Sequence, residues 1–489
     1  MAVQKKFSRR DWTRLVNSFR YQKRRPASSS KYWDERIETM SRDELRQVQE
    51  TKLKALLHYL RDNSPWYRRR FKEMGLEPGD VRGLEDLPKL PMTKKEDWSQ
   101  NQVEKPPFGD FHCVTPRQWA RDGWMLYSTG GTTAKPRFFN FTHHDKDIWA
   151  YGWARAYWSY GLRPGTVFFN TSVYGPFPGM WGSQYGAHLM RCPIIPGGGM
   201  DSRRRLFFIQ ETNVTCVVGV PSYVLHLGQV AKSEYGIDPA KDTKVTDLVT
   251  MAEPGPCVPS SKQRIEEAWG GARLHDLFGH TECFPMAAGW SCAEETAVRG
   301  RPMRDHLSED LGIFEVLDSE TFDPLPPGRR GVLVVTNLWS EGIPALRYLM
   351  GDYMVYSTEP CACGRTFAQA DGGLMGRADH TLRVRGVWII PGAVEEVVRG
   401  FPDLDDEFQL VADSVGDRDI CTLRVEPRPT IPKEAWPALQ KKVAQEMRFV
   451  LGLGVEVELC AHDSLPRFQR GDLDAKAVRV KDLRKAPGA

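Results

Sequence analysis

The stretch Tyr127-Ser128-Thr129-Gly130-Gly131-Thr132-Thr133-Ala134-Lys135-Pro136 sets the tightest limit on what this chain can fold into. Its paired glycines admit positive φ and close backbone approach, while its hydroxyls, freed N–H groups and the Lys135 ammonium can converge on one anion. The combination reads as a grip for nucleotide phosphates. Pro136 directly after Lys135 excludes a Walker A loop, which needs Ser or Thr after its lysine and a helix running straight on. Taken alone, the segment also reads as an ordinary polar loop, because Ser, Thr and Gly populate turns for local reasons.

With 489 residues and 41% hydrophobic content, the chain should build two or three domains with large cores. Its 67 basic and 63 acidic residues leave a net charge of +4, which gives no warrant for nucleic acid as a partner. The excess is local: Lys5, Lys6, Arg9, Arg10, Arg14, Arg20, Lys23, Arg24 and Arg25 face a single Asp11, so residues 1–30 are expected to form a basic, disordered or loosely docked extension. No apolar run nears the ~20 residues of a membrane span, and the N-terminus lacks a secretory signal, so the expectation is no membrane and a cytoplasmic location. Ten cysteines scattered through a long chain favour free thiols or a metal site over a disulfide framework.

Leu45, Val48, Leu53, Leu56, Leu57 and Leu60 recur near helical spacing after the capping box Ser41-Arg42-Asp43-Glu44. Past the glycine-rich loop, short apolar runs at 166–169 and 214–220 alternate with helix-like stretches such as 260–269, an α/β pattern. A β-rich region follows at about 310–360, with runs at 312–317 and 331–336. The last hundred residues read as a small α+β module, strand-like at 382–390, helical from 393 and strand-like at 455–460.

Three constellations each place an acid beside turn residues after an apolar run: Ala252-Glu253-Pro254-Gly255, Asp276-Leu277-Phe278-Gly279-His280-Thr281-Glu282 and Arg347-Tyr348-Leu349-Met350-Gly351-Asp352. Acids at strand ends suit ligands: Glu282 could hold Mg²⁺ against phosphate oxygens, and Asp352 could accept from ribose hydroxyls. Each also reads as a turn or cap residue. Cys361-Ala362-Cys363, with Cys292 and His306 upstream, supplies the donor set of a closed structural zinc site or, equally, buried free thiols.

In this order the motifs resemble those of the phenylacetate-coenzyme A ligase family of acyl-adenylate-forming enzymes. The likeness extends through Lys31-Tyr32-Trp33-Asp34, Ser64-Pro65-Trp66-Tyr67, Leu84-Glu85-Asp86-Leu87-Pro88, Val220-Pro221-Ser222-Tyr223, Gly376-Arg377-Ala378-Asp379, Glu395-Glu396, Leu465-Pro466-Arg467 and Ala475-Lys476-Ala477, about 32 to 482 in all. It implies an α/β fold: a large adenylating domain over 31–377, built of mixed sheets flanked by helices plus a β-rich subdomain, a hinge at 378–380, and a small mobile α+β domain over 381–489.

The resemblance further implies ATP, Mg²⁺ and CoA as cofactors, and a reaction in which a carboxylate attacks the α-phosphate to give acyl-AMP and pyrophosphate before a thiol displaces AMP. Ser128, Thr129, Gly130, Gly131, Thr132, Thr133 and Lys135 would hold the β- and γ-phosphates, Thr281 the α-phosphate and Glu282 the magnesium. Glu253 and Pro254, with Asp276, Phe278 and Gly279, would line the nucleotide site; Asp352 and Arg377 would bind the ribose. Lys476 would be catalytic, a long-stemmed ammonium reaching the reacting carboxylate and the α-phosphate. The hinge would lie at Asp379, and Gly386 would border the CoA channel after rotation. Some members of the family hold a zinc resembling the Cys292, His306, Cys361, Cys363 set, a structural Zn²⁺ here.

By position, Tyr174, Phe177, Trp181 and Gly182 fall in the family's aromatic-binding segment, which implies an aryl or arylacetic acid as substrate. His280 stands where an apolar residue is common, so it either hydrogen-bonds a hydroxyl or amino substituent of the acid or bonds to backbone. Gly130 and Ala134 depart from the usual loop pattern. The leading expectation is an aromatic acid:CoA ligase serving specialised metabolism; the alternative second nucleophile is an amine, nitrite or a carrier-protein thiol. A homodimer and a carrier protein stay open as partners.

Overall fold

The computed structural model describes residues 6–129, 137–253, 255–378, 382–384, 387–389, 391–415, 418–465 and 479–484. The opening scaffold helix spans Arg42–Asn63, with the Ser41 hydroxyl accepting from the Glu44 N–H and the Glu44 carboxylate accepting from the Ser41 N–H. Its apolar stripe, including Leu45, Leu53, Leu56, Leu57 and Leu60, is fully buried, as the spacing of those residues requires.

The N-terminal extension is anchored, not loose. Residues Arg9–Ser18 form a helix capped by Ser8 and Asp11. Trp12, fully buried, stacks on Tyr59 with ring centroids 5.5 Å apart and donates its indole N–H to the Ser340 carbonyl at 2.8 Å. Arg9 pairs with Glu341 at 2.9 Å. Charge count alone suggests a disordered or loosely docked extension, but one face carries Trp12 and Val16, each contributing roughly 1.5–3 kcal/mol of transfer free energy when buried. Farther along, Tyr21 meets the buried Lys52, whose ammonium also donates to the Asp310 carbonyl at 2.6 Å. Burial, countered in part by the Asp310 charge, pulls the Lys52 pKa down to about 7.

Among the described residues one eleven-stranded sheet dominates. Strands Ile194–Pro196, Phe168–Asn170, Cys216–Gly219, Asp247–Met251 and Arg273–His280 run parallel, joined through helices including Pro178–Met190, Pro221–Ser233 and Pro259–Ala268. Antiparallel strands Phe284–Trp290, Arg304–Leu307, Gln369–Asp371, Tyr348–Ser357, Arg330–Asn337 and Gly312–Leu317 extend it, which accounts for the β-rich region. The parallel strands read as near-continuous apolar runs because helices cover both faces. A separate pair of antiparallel strands, Gly123–Ser128 and Phe138–Thr142, flanks the glycine-rich segment in the sequence.

The C-terminal module has its own core, from Leu382 and Val384 through Phe408, Leu423 and Met447 to Val457. Its sheet orders Glu456–Leu459, Arg418–Pro427, Leu404–Val415 and Val480–Asp482, packed by helices Pro391–Gly400 and Trp436–Leu451. The strand expected over 382–390 is two, Leu382–Val384 and Val387–Ile389, paired antiparallel. No described helix is long and apolar enough to cross a membrane.

Candidate active site

Three groups of expected site residues follow the carboxyl ends of parallel strands, where α/β sheets place ligands. Phe168–Asn170 leads to the segment 174–182, Asp247–Met251 to Glu253, and Arg273–His280 to Thr281 and Glu282. At the second of these ends Ala252 has φ +76°, a left-handed conformation that costs a non-glycine residue about 1–3 kcal/mol and clusters at functional sites.

Glu282 is the electrostatic centre of the described residues here. Its carboxylate accepts from Arg137 Nη2 at 2.5 Å, and its other oxygen lies 2.9 Å from His280 Nδ1. Burial would raise its pKa, but His280 and Arg137 outweigh that and hold it near 2, so it is ionised at neutral pH. His280 thus turns Nδ1 toward the motif's own glutamate. Arg137 was not singled out from the sequence; its signal was a cation directly after the glycine-rich loop. Its Nη1 is buried without a hydrogen-bond partner among the described residues. It also ties down the loop's base, its carbonyl accepting from the Thr129 N–H at 3.2 Å.

Ser128 donates its N–H to the Pro176 carbonyl at 2.8 Å, so the phosphate-loop strand and the acyl segment are stitched together. Glu253 accepts from the Ser222 N–H at 3.0 Å and hydroxyl at 2.9 Å, capping the helix Pro221–Ser233, whose own N-cap position is an apolar Val220. Phe278 is buried against Gly289, where an added Cβ would come within 2.0 Å of its ring. Gly279 is similarly closed, an added Cβ lying 2.4 Å from the Met286 carbonyl. Asp276 is fully inside, its carboxyl bonded to Asp305 and 3.1 Å from the Cys257 sulfur. Burial pushes both carboxyls up, Asp305 further, as expected of a pair sharing a proton.

Asp352 and Arg377 face each other across a β-bridge, with Arg377 Nη1 3.9 Å from Asp352 Oδ2 and 3.2 Å from the Met350 carbonyl it donates to. Burial lifts the Cys283 thiol, and the charges of Glu282 and Asp352 add to the shift. In the acyl segment Trp181 packs edge-on against Tyr174 at 4.9 Å and donates its N–H to the Gly175 carbonyl at 3.0 Å. Tyr174 accepts from Asn170 at 2.9 Å, Phe177 is exposed at the rim, and Tyr185 packs edge-on against Trp124 at 5.0 Å. Gly182 lets the helix Pro178–Met190 press on two indoles, since a Cβ there would lie 2.1 Å from Trp153 Nε1.

Away from this region, Cys292, His306, Cys361 and Cys363 are all buried, and their ligand atoms lie within 4.8 Å of one another. Cys292 and Cys361 sulfurs are 3.7 Å apart, close to the ~3.8 Å edge of a tetrahedron with thiolates about 2.3 Å from a central ion. Cys363 Sγ is 3.2 Å from His306 Nε2. Backbone N–H groups of Glu295, Cys363 and Arg365 aim at the three sulfurs at 3.4–3.5 Å. Hydrogen bonds from Cys292 and Cys361 hold the Cys363 sulfur as a thiolate, well below the ordinary thiol range. The donor set and spacing fit a four-coordinate zinc.

Gly130, Gly131, Thr132, Thr133, Lys135, Pro254, Asp379, Gly386 and Lys476 lie outside the described residues. Two family models cover much of the chain: "AMP-binding enzyme" matches residues 44–339, and "AMP-binding enzyme C-terminal domain" matches 386–484. The chain is 32% identical over 464 residues to the phenylacetate-coenzyme A ligase of Thermus thermophilus, covering 92% of this chain and 99% of that one. Among solved structures, 2-hydroxyisobutyryl-CoA ligase in its postadenylation state superposes with a TM-score of 0.85 at 29% identity, covering 94% of this chain and 93% of that one. The same ligase in its thioesterification state gives 0.69 at 30% identity, with 94% of each chain covered. A parallel sheet whose carboxyl ends gather Glu253, Thr281 and Glu282, a glycine-rich segment flanked in the sequence by two paired strands and a separate C-terminal module agree with these likenesses, and the chain is an enzyme of the phenylacetate-coenzyme A ligase family.

Proposed function

We propose that the enzyme activates a carboxylic acid bearing an aromatic ring, forming acyl-AMP and pyrophosphate from ATP and then an acyl-CoA thioester. The substrate carboxylate attacks the α-phosphorus and the bond to the pyrophosphate oxygen breaks; CoA sulfur then attacks the acyl carbon, AMP leaves and the thiol proton is released. Little covalent protein chemistry is needed, so positioning and neutralisation of charge carry the rate.

The observation that carries the aromatic reading is the ring cluster around the 174–182 segment, where Trp181 packs edge-on against Tyr174 and stacks with Tyr185, and Tyr185 packs edge-on against Trp124. Such walls favour a planar ring over a small aliphatic chain. Glu282, kept ionised, suits a Mg²⁺ that neutralises phosphate charge, because each carboxylate oxygen keeps a further lone pair beside its bond to Arg137 or His280. Thr281 would meet the α-phosphate, Asp352 and Arg377 the ribose, and Lys476 the reacting carboxylate.

An acid screen tests the reading. Pyrophosphate release should depend on an aryl or arylacetic acid, and mass spectrometry should find the acyl-CoA in preference to products with an amine, nitrite or a carrier-protein thiol. Release only with small hydroxy acids such as 2-hydroxyisobutyrate, the acid in the solved ligase's name, would overturn the aromatic assignment.

The Cys292, His306, Cys361, Cys363 cluster takes a structural zinc in this proposal, pinning the 292–306 excursion to the 361–363 turn. Elemental analysis should return about one zinc per chain, and Cys363→Ser should lose the metal and lower the thermal midpoint. Purified wild-type protein without zinc would remove the metal from the assignment.

A further inference from the structure

Helix Pro259–Ala268 starts just beyond Glu253 and lacks a cap of its own: its N-cap position is Val258, which has no side-chain cap bond. The cap comes from the C-terminal module. Glu396 accepts from the Ser260 N–H at 3.1 Å and the Ser260 hydroxyl at 3.0 Å, placing an anion at the positive end of the helix. On the next residue, Ser261 donates its hydroxyl to Glu395 at 2.9 Å. One turn on, Arg264 pairs with Asp406 and donates to the Phe401 carbonyl at 2.9 Å, while Gln229 donates to the other Asp406 oxygen at 2.7 Å. Arg264 and Asp406 side chains are only 12% and 9% exposed, so the pair is partly desolvated and sensitive to loss of either member.

Glu395 also links this helix to the chain's end. Its second oxygen accepts from Arg479 at 3.1 Å, and Arg479 stands three positions after Lys476. The route Ser261–Glu395–Arg479 therefore runs from the large domain to the residue before the strand Val480–Asp482. The chain as a whole superposes better on the solved ligase after adenylation than on that ligase in its thioesterification state, with TM-scores of 0.85 and 0.69.

Building on the two-step ligase reading above, we propose that Arg264 and Asp406, together with Ser260, Ser261, Glu395 and Glu396, are positioning residues for the adenylation half-reaction alone. They hold the module in the arrangement that delivers Lys476, and every one of their contacts across the interface must break before the module turns to admit the thiol. The arrangement is a two-state element biased by a small set of interface bonds.

The test separates the half-reactions. Arg264→Ala and Asp406→Asn should each lower acid-dependent pyrophosphate release about tenfold or more. Conversion of supplied acyl-AMP and CoA to the thioester should hold or rise, and the thermal midpoint should stay near wild type. The exchange Arg264→Asp with Asp406→Arg should recover much of the lost release, because the pair is restored with its charges reversed. Equal loss of both half-reactions, or wild-type rates in both, would overturn the proposal. A wild-type enzyme that releases no pyrophosphate with any acid would instead sink the ligase reading on which it rests.

Discussion

Lys476→Ala is expected to cut acid-dependent pyrophosphate release by about 10²–10³-fold, the loss seen when one preorganised donor to developing charge is removed. Thioester formation from supplied acyl-AMP and CoA should keep most of its rate. The asymmetry follows from charge. In the first step an anionic carboxylate approaches an anionic phosphate, and an ammonium from the C-terminal module would neutralise both; in the second, the leaving group is AMP and, on the proposed rotation, the module would have turned. Rapid-quench measurement of each half-reaction checks this, and equal losses in the two would remove Lys476 from its role. Lys476 should act through its own charge, whereas Arg264 acts by holding the module, so only loss of Arg264 should be rescued by an interface charge exchange.

The largest stability effect is expected at Arg155, which lies in the helix His143–Ser159. Arg155 and Asp310 are both fully buried and 2.9 Å apart, with Ser308 and Tyr151 as further partners of the guanidinium. Arg155→Leu leaves the Asp310 carboxylate buried, with Lys52, already bonded to the Asp310 carbonyl, as a remaining cation in that network. Breaking such a pair costs about 3–5 kcal/mol, whereas replacing both partners by apolar groups is often far milder. The unfolding midpoint of Arg155→Leu should therefore drop sharply, and Arg155→Leu combined with Asp310→Leu should recover part of the loss. Removal of the exposed Arg424–Glu458 pair, 38% and 52% accessible, should change stability by less than about 1 kcal/mol. A buried-pair loss as small as the exposed one would show that Asp310 relaxes into solvent or is neutralised.

Several features were legible because they depend on neighbours in the chain. The Ser41–Glu44 box and the leucine spacing after it specify a helix whatever surrounds them, and apolar runs at 214–220 and 312–317 become buried strands. The ordered motifs from Tyr127 to Lys476 identified the family. Other features were hidden because a residue's type is silent about its partner. The docked helix Arg9–Ser18 looks like a charged tail until Trp12 finds Tyr59 and Ser340. For His280 the sequence carries no sign of Glu282 as a partner; the turn after its strand brings the two together.

By itself the sequence determined the enzyme family, the α/β alternation and the residue types that can handle a nucleotide and its metal, since these rest on local spacing and motif order. Only the tertiary structure decided that Arg137 and His280 clamp Glu282, that Glu253 caps the helix at Ser222, and that Glu396 lends a cap across the module interface to Ser260. The physical reason is the same in each case: these bonds join segments from 31 to 145 positions apart in the chain, or turn a side chain by the fold of its strand end, and no local pattern encodes which distant donor a carboxylate will meet.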